Sequence, residues 1–353
     1  MILLISRNFL KRDLKRFSPN TWDKFIILDV SRLVKKGKIA GKFKDKRIIE
    51  ISSLSGLLSF LKKNKHSYLI DNTNNTLKEL LIKLMIKSHK IKFIKHFGSL
   101  KPESSYINKK FSLWLSLKKI LLSFLLRYIL DIVLISGLKY KSLEIYLKGR
   151  KKLFFTHSFD YNSYLKLNGA NKNKDNIVYL DQNFTNHPAF EINKTKPITN
   201  KSFYYKLENY LIKTSKANKC EVKIALHPSA EKKIANFSKK FKCYFDKTAE
   251  LVRDSRFVVA HYTTAIAYPV LLNKPITFLT SEELISKRPG NLTKDLSKEL
   301  GSKLINIDKG DMLTLNKKIN KKKYKDFINN YIKHPKSNNK DTWLSLKKKL
   351  VNK

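Results

Sequence analysis

Short runs of β-branched and aromatic residues alternate along the whole chain with segments of helical periodicity. A parallel sheet with crossover helices imposes that alternation. In the first half the apolar runs predict strands over Ile2–Ile5, Lys24–Leu28, Arg47–Ile51, Ser67–Ile70, Ile91–Phe97, Ile132–Ile135 and Lys152–Thr156. In the second half they predict strands over Asn176–Leu180, Val222–Leu226, Cys243–Phe245, Phe257–Ala260, Ile276–Leu279 and Leu304–Ile307. Helical periodicity falls at Leu54–Lys63, Thr76–Ile86, Phe111–Leu130, Phe203–Thr214, Lys247–Asp254 and Ala265–Leu272.

Between the halves, Asn168–Asp175 reads NGANKNKD, without apolar periodicity, and suits a linker. The expected organisation is a first α/β domain over 1–170, a second over 176–340, and a terminal helix over 341–353. Trp343, Leu344, Leu346 and Leu350 give that helix an apolar side with which to pack back on the first domain. In the Phe111–Leu130 helix, Ser112, Ser116, Lys119, Ser123 and Arg127 form one narrow polar stripe. Such a helix is either buried on most sides or laid on a membrane surface. Lys62, Lys63, Lys65, Lys109, Lys110, Lys118 and Lys119 would add attraction to anionic lipid, about 1 kcal/mol per basic residue near the surface.

Charge changes the picture less than its size suggests. Lys and Arg total 74 against 28 Asp and Glu, a net charge of +46, which first points to nucleic acid or an anionic membrane. Only ten of the 74 are Arg, and Arg is the residue that reads phosphates and base edges with two parallel bonds. The Lys residues spread along the whole chain, as compositional drift would leave them. Hydrophobic residues make up 42%, enough for real cores, and the two cysteines, Cys220 and Cys243, lack metal or disulfide spacing. A cytoplasmic protein is expected, with peripheral association at the inner face of the membrane. The amino terminus lacks the features of a signal peptide. The longest uncharged stretch, Phe257–Asn273, falls short of the roughly 20 residues of a spanning helix.

The segment from Glu221 to Ser281 carries the candidate chemistry. A strand ending at Leu226 runs straight into His227 and Pro228, placing an imidazole at the carboxyl end of a strand, where doubly wound sheets bind ligands. The strand Phe257–Ala260 runs into His261, Tyr262, Thr263 and Thr264 and then a helix, so two hydroxyls sit where unpaired backbone N–H groups suit a phosphate. Plain N-capping is the better account of each Thr taken alone; two strand ends converging on one sheet edge favour a phosphate or nucleotide site. The helix Lys247–Asp254 offers Thr248 and Glu250, with Glu250 in reach of a ribose or simply on the surface, and Asp246 or Thr248 as its N-cap. No GxGxxG, GxxxxGK[ST], GxSxG or HExxH is present, which argues against dinucleotide dehydrogenases, P-loop ATPases and the common hydrolases and metalloproteases.

The order of strand with His227 and Pro228, a TAEL helix, a strand leading to Thr263 and Thr264, and a helix ending in NKPI resembles the carboxyl-terminal domain of bacterial surface-polysaccharide glycosyltransferases of GT-B type. Closest in style are the sialyltransferases, polysialyltransferases and capsule Kdo transferases. The resemblance covers mainly the second half of the chain. It implies two Rossmann-like domains facing across a cleft, with the acceptor on the first and a nucleotide-sugar, CMP-linked in that group, on the second. It implies that His227 with Pro228 contacts the phosphate or ribose and that Thr263 and Thr264 hold the phosphate; His261, Thr248 and Glu250 are further nucleotide-binding candidates by their positions beside these. It further implies no metal and no cofactor beyond the nucleotide-sugar co-substrate, and a cell-surface glycan or glycolipid, of lipopolysaccharide or capsule, as acceptor.

The group's acidic motif, two acidic residues followed by Gly, is absent from the first half. Two carboxylates stand in for it: Asp160, after the strand Lys152–Thr156, and Asp181, after Asn176–Leu180 with His187 and Pro188 beyond. Either would take the acceptor's proton as the new C–O bond forms. Two other classes stay open, a basic nucleic-acid-binding protein and an inactive relative serving as scaffold. Against the first, no helix-turn-helix or RNA-binding signature is visible.

Overall fold

The computed structural model describes residues 1–6, 14, 16–34, 44–73, 75–98, 121, 124–139, 152–167, 169, 175–186, 196–199, 201–228, 230, 237–309 and 315–351. They divide into two units, the first formed by the residues up to Asn162 together with the tail from Lys333, the second by Ser163–Ile332.

The first unit is built on β1 (Ile2–Ile5), β2 (Ile26–Asp29), β3 (Ile48–Glu50), β4 (Tyr68–Asp71), β5 (Lys92–Phe97), β6 (Leu130–Ile135) and β7 (Lys152–Phe155). They form one seven-stranded sheet in the order β3-β2-β1-β4-β5-β6-β7, parallel throughout. A parallel sheet is covered on both faces, so its strands read as continuous apolar runs rather than alternating ones. In β1, Ile2 and Leu4 enter one core and Leu3 and Ile5 the other. The first core is closed by α1 (Leu54–Lys63), α2 (Leu77–Ser88) and the helical residues 124–129. Ser53 caps α1, and Thr76 with Glu79 forms a capping box on α2, each satisfying N–H groups the first turn leaves unpaired.

The opposite core is closed by the tail helix Thr342–Val351. Trp343 is fully buried there and its Nε1–H donates to the Arg16 carbonyl at 2.7 Å. The tail joins this unit earlier than 341. His334 stacks on Phe155 with centroids 4.0 Å apart, and His157 Nε2 lies 2.9 Å from the Lys340 carbonyl. The passage to the second unit also comes earlier than the 168–175 stretch, most of which lies outside the described residues. It falls inside α3 (Phe159–Leu165), because the returning tail holds the first turns of that helix: Tyr161 Oη–H donates to Asn339 at 3.0 Å and the Thr342 N–H to Asn162 at 3.3 Å.

The second unit has β8 (Asn176–Leu180), β9 (Glu221–Ala225), β10 (Lys242–Tyr244), β11 (Phe257–Ala260), β12 (Ile276–Thr280) and β13 (Lys303–Asn306), in the order β10-β9-β8-β11-β12-β13. All neighbours are parallel. Its helices include α4 (Lys201–Asn218), α5 (Thr248–Asp254), α6 (Ala267–Leu271) and α7 (Arg288–Leu300). The expected helix Ala265–Leu272 is a 3-10 turn, Thr264–Ile266, running into α6. The periodicity missed α7, whose sequence opens on Pro289 and Gly290; Pro is tolerated in a first turn because its missing N–H has no partner there. Gly290 is required, since a Cβ would lie 2.1 Å from the Leu284 carbonyl oxygen.

In each sheet the connections reverse direction once, between β1 and β4 in the first unit and between β8 and β11 in the second. Loops leaving neighbouring strands diverge at such a switch point and open a crevice beyond their carboxyl ends. Among the described residues no helix is long and apolar enough to cross a membrane.

Because Trp343 fills the core under the first sheet, Trp343→Ala is expected to destabilise that unit by about 3–5 kcal/mol. Denaturant unfolding followed by circular dichroism and tryptophan fluorescence checks this.

Candidate functional site

The second unit's switch point brings the sequence candidates to one sheet edge. Asp181 follows β8, His227 follows β9 after Leu226, and His261 to Thr264 follow β11. Asp181 is buried at 3% exposure and does not present a free carboxylate. Its Oδ1 accepts the Asn183 N–H and the Tyr204 hydroxyl, each at 3.1 Å. Its Oδ2 accepts the His227 N–H at 3.3 Å. Tyr204, from α4, in turn accepts the Phe184 N–H at 3.0 Å. Burial raises the Asp181 carboxyl pKa, and the hydrogen bonds from Asn183, His227 and Tyr204 oppose that rise. The carboxylate thus ties the loops after β8 and β9 together and sets the backbone from which the His227 ring projects. Its two oxygens together accept these three hydrogen bonds, which brace the loops around it. His187 and Pro188 lie outside the described residues.

His261 does not line the crevice. It is completely buried, ringed by Phe184 at 5.3 Å, Phe203 at 5.7 Å and Tyr179 at 5.8 Å between centroids. Burial pushes its imidazole pKa down to about 4, so it is a neutral part of the floor. Thr263, also buried, accepts the Ala265 N–H at 3.1 Å and serves as the N-cap of the 3-10 turn. Thr264 beside it is exposed, and His227 is half-buried with Pro228 exposed. The Tyr262 N–H donates to Thr293 in α7 at 3.0 Å, and that hydroxyl donates to the Pro289 carbonyl at 2.8 Å. This clamp brings the first turn of α7 to the loop after β11, where the exposed Arg288 lowers the pKa of the Tyr262 phenol against the larger upward pull of burial.

Thr248 and Glu250 stand on the first turn of α5, Thr248 half-buried and Glu250 exposed. Lys247 occupies the N-cap position without a side-chain bond, so neither Asp246 nor Thr248 caps this helix. Its other end is held by Lys274, whose buried ammonium donates to the Ser255 carbonyl at 2.6 Å and whose pKa burial lowers to about 8. Lys274 of the NKPI segment therefore acts on the helix end rather than on a ligand.

In the first unit, Asp160 is half-buried on the first turn of α3. That unit's own switch point holds a network the sequence reading did not anticipate. Asp71, at the end of β4, pairs with Lys83 at 2.9 Å and Lys95 at 3.0 Å, with no side-chain exposure for Asp71 or Lys83. Burial alone would raise the Asp71 pKa, but the two ammonium groups outweigh it and hold the carboxyl below its usual range. Glu79 bridges the Ser6 hydroxyl and the Thr76 cap. Local sequence gives no sign of this, since the partners come from β1, α2 and β5. Among the described residues no group of three or more His, Cys, Asp or Glu is placed to hold a metal ion.

The chain matches no protein-family description and no curated protein. Among solved structures it is similar to the wall teichoic acid polymerase TagF, with a TM-score of 0.51 and 11% identity over 100% of this chain and 88% of that one. A TagF variant soaked with CDPG gives 0.54 and 9% over 99% and 87%. The UDP-GlcNAc 2-epimerase from Methanocaldococcus jannaschii gives 0.49 and 11% over 100% of both chains. The TagF likeness and the two parallel sheets give the same answer for the fold: two Rossmann-like α/β domains, as in GT-B proteins.

The floor histidine has a measurable consequence. With its folded pKa near 4 and an unfolded value near 6.5, His261 takes up a proton more readily when unfolded, so stability falls as pH drops from about 6.5 toward 4. His261→Phe removes this contribution and should gain relative to wild type by up to about 3 kcal/mol across that window. Urea unfolding at pH 7 and at pH 4.5 measures the difference.

Proposed function

We propose that the protein is a glycosyltransferase that moves a sugar from a nucleotide-activated donor to a glycan or glycolipid acceptor. The observation that carries this reading is the second unit's switch point. There the half-buried His227, held through its backbone by Asp181, stands on the same sheet edge as the loop of Thr263 and exposed Thr264. Ligands of doubly wound sheets bind at such an edge, and backbone N–H groups with an imidazole suit a phosphate. The GT-B-like fold supports the class of reaction.

In this reading His227 and Thr264 contact the donor phosphate, Pro228 shapes the turn that presents the ring, and Glu250 with Thr248 reaches the ribose. His261 and Thr263 support the site from below. As the bond between the anomeric carbon and the phosphate oxygen breaks, its electron pair leaves with the phosphate. Positive and N–H groups stabilise the charge that develops there. The acceptor hydroxyl attacks the same carbon and gives its proton to a carboxylate. For that base we propose Asp160, the candidate outside the hydrogen-bonded set of Asp181, Asn183, Tyr204 and His227. A CMP-linked acid sugar such as sialic acid is the donor the motif order favours, and no metal is assigned to the reaction. A cytoplasmic site of action and a surface-polysaccharide product belong to the same proposal.

Thermal unfolding with CMP, CDP, UMP and UDP tests the donor site. At a nucleotide concentration of about 100 times Kd, binding adds about 2.7 kcal/mol of stability. A cytidine nucleotide is expected to raise the midpoint in wild type and not in His227→Ala, while Asp160→Asn keeps the shift and loses transfer by about 100-fold or more. No shift with any nucleotide would contradict the donor site. Shifts without transfer in any donor and acceptor pair would leave a binding protein of the same fold.

A further inference from the structure

Among the described residues, the first unit carries an exposed apolar surface on the outside of its helices. On α1, Leu57, Phe60 and Leu61 turn into the core, while Leu54 and Leu58, one turn apart, are 54% and 37% exposed. On α2, Leu80, Ile82 and Ile86 are buried, while Leu77 and Leu81 are 72% and 54% exposed. In the third segment Leu126 and Ile129 are buried, while Phe124 and Tyr128 are 60% and 65% exposed. All three segments rest on the same core and so cover the same face of the sheet. Scattered exposed apolar residues are ordinary, but successive-turn pairs on three elements of one face are not.

The exposed charges on the same elements all have one sign. Lys62 and Lys63 end α1, Lys65 follows, Lys78 lies between the exposed leucines of α2, and all four are exposed. The Arg127 guanidinium sits 5.5 Å from the Phe124 ring. The single carboxylate on α1, α2 or residues 124–129 is Glu79, 2% exposed and engaged with Ser6 and Thr76. An outer face of leucines and aromatics with lysines and no accessible acid is complementary to an interface where acyl chains meet anionic headgroups. A protein partner would need a matching acidic apolar surface, whereas an anionic bilayer supplies both features.

We propose that this face docks the protein on a membrane rich in anionic lipid, the exposed leucines, Phe124 and Tyr128 entering the headgroup and acyl boundary while the lysines pair with lipid phosphates. The inference does not depend on the transferase reading, because it concerns the first unit's outer helices and needs no nucleotide.

Co-sedimentation of the full chain with phosphatidylcholine vesicles, with and without phosphatidylglycerol, tests it in the absence of nucleotide. Binding is expected to the mixed vesicles and to be at least about tenfold weaker to phosphatidylcholine alone. The exposed-site variant Leu77→Ser/Leu81→Ser/Phe124→Ser should lose at least about tenfold in partitioning with an unchanged unfolding midpoint. Lys62→Gln/Lys63→Gln/Lys65→Gln should lose a similar factor on the mixed vesicles only. No binding to the mixed vesicles, or wild-type binding by the serine variant, overturns the proposal. Sedimentation velocity supplies the other contrary outcome: a wild-type dimer that the serine substitutions dissociate would give the face to a second copy.

Discussion

A buried carboxylate at the point where a sheet reverses its winding holds each half of this chain in working order. At such a point two loops leave adjacent strands in opposite directions, and nothing in the sheet itself fixes their spacing. In the second unit Asp181, on the β8 side of that divergence, accepts from the backbone of its own loop, from the backbone of the loop after β9, and from Tyr204. In the first, Asp71 stands between two lysines drawn from α2 and β5. A group of this kind is costly to bury and retains its place only when its partners are all present. The two solutions differ in chemistry. Asp181 is satisfied by neutral donors and leaves a polar edge for a ligand, while Asp71 neutralises cations within its own cluster.

The strands were legible because buried parallel strands must be apolar on both faces, and the alternation of such runs with helical periods persists through loops and compositional drift alike. The two-domain α/β organisation follows from the same signal. The helices were less legible where chemistry overrode pattern. Pro289 and Gly290 look like a turn, yet Pro suits a first helical turn and Gly290 is forced by the Leu284 carbonyl. The tail's return at Lys333 rests on His334 stacking against Phe155 and on the Lys340 carbonyl reaching His157, contacts between segments far apart in sequence.

At the site, sequence spacing placed residues at the correct strand ends but could not say which way their side chains turn. His227, Thr264 and Glu250 stay accessible, whereas His261 is enclosed by rings from β8, α4 and the loop between them, and Thr263 caps its own turn. The enclosure of Asp181 depends in part on Tyr204, a helical tyrosine that no local motif distinguishes from a core residue. The net charge of +46 likewise acquires meaning only through placement: on the first unit's outer helices lysines accompany exposed leucines with no accessible acid.

The central claim is that the second unit's switch point is where a nucleotide donor's phosphate binds. A crystal structure of the protein soaked with CMP tests it most directly. The account predicts the phosphate within hydrogen-bonding distance of the His227 ring and of the Thr264 hydroxyl or its backbone N–H, with Asp181 unmoved beneath. Phosphate bound instead among Lys83, Lys95 and Asp71 of the first unit, or no nucleotide at either sheet edge, would contradict it.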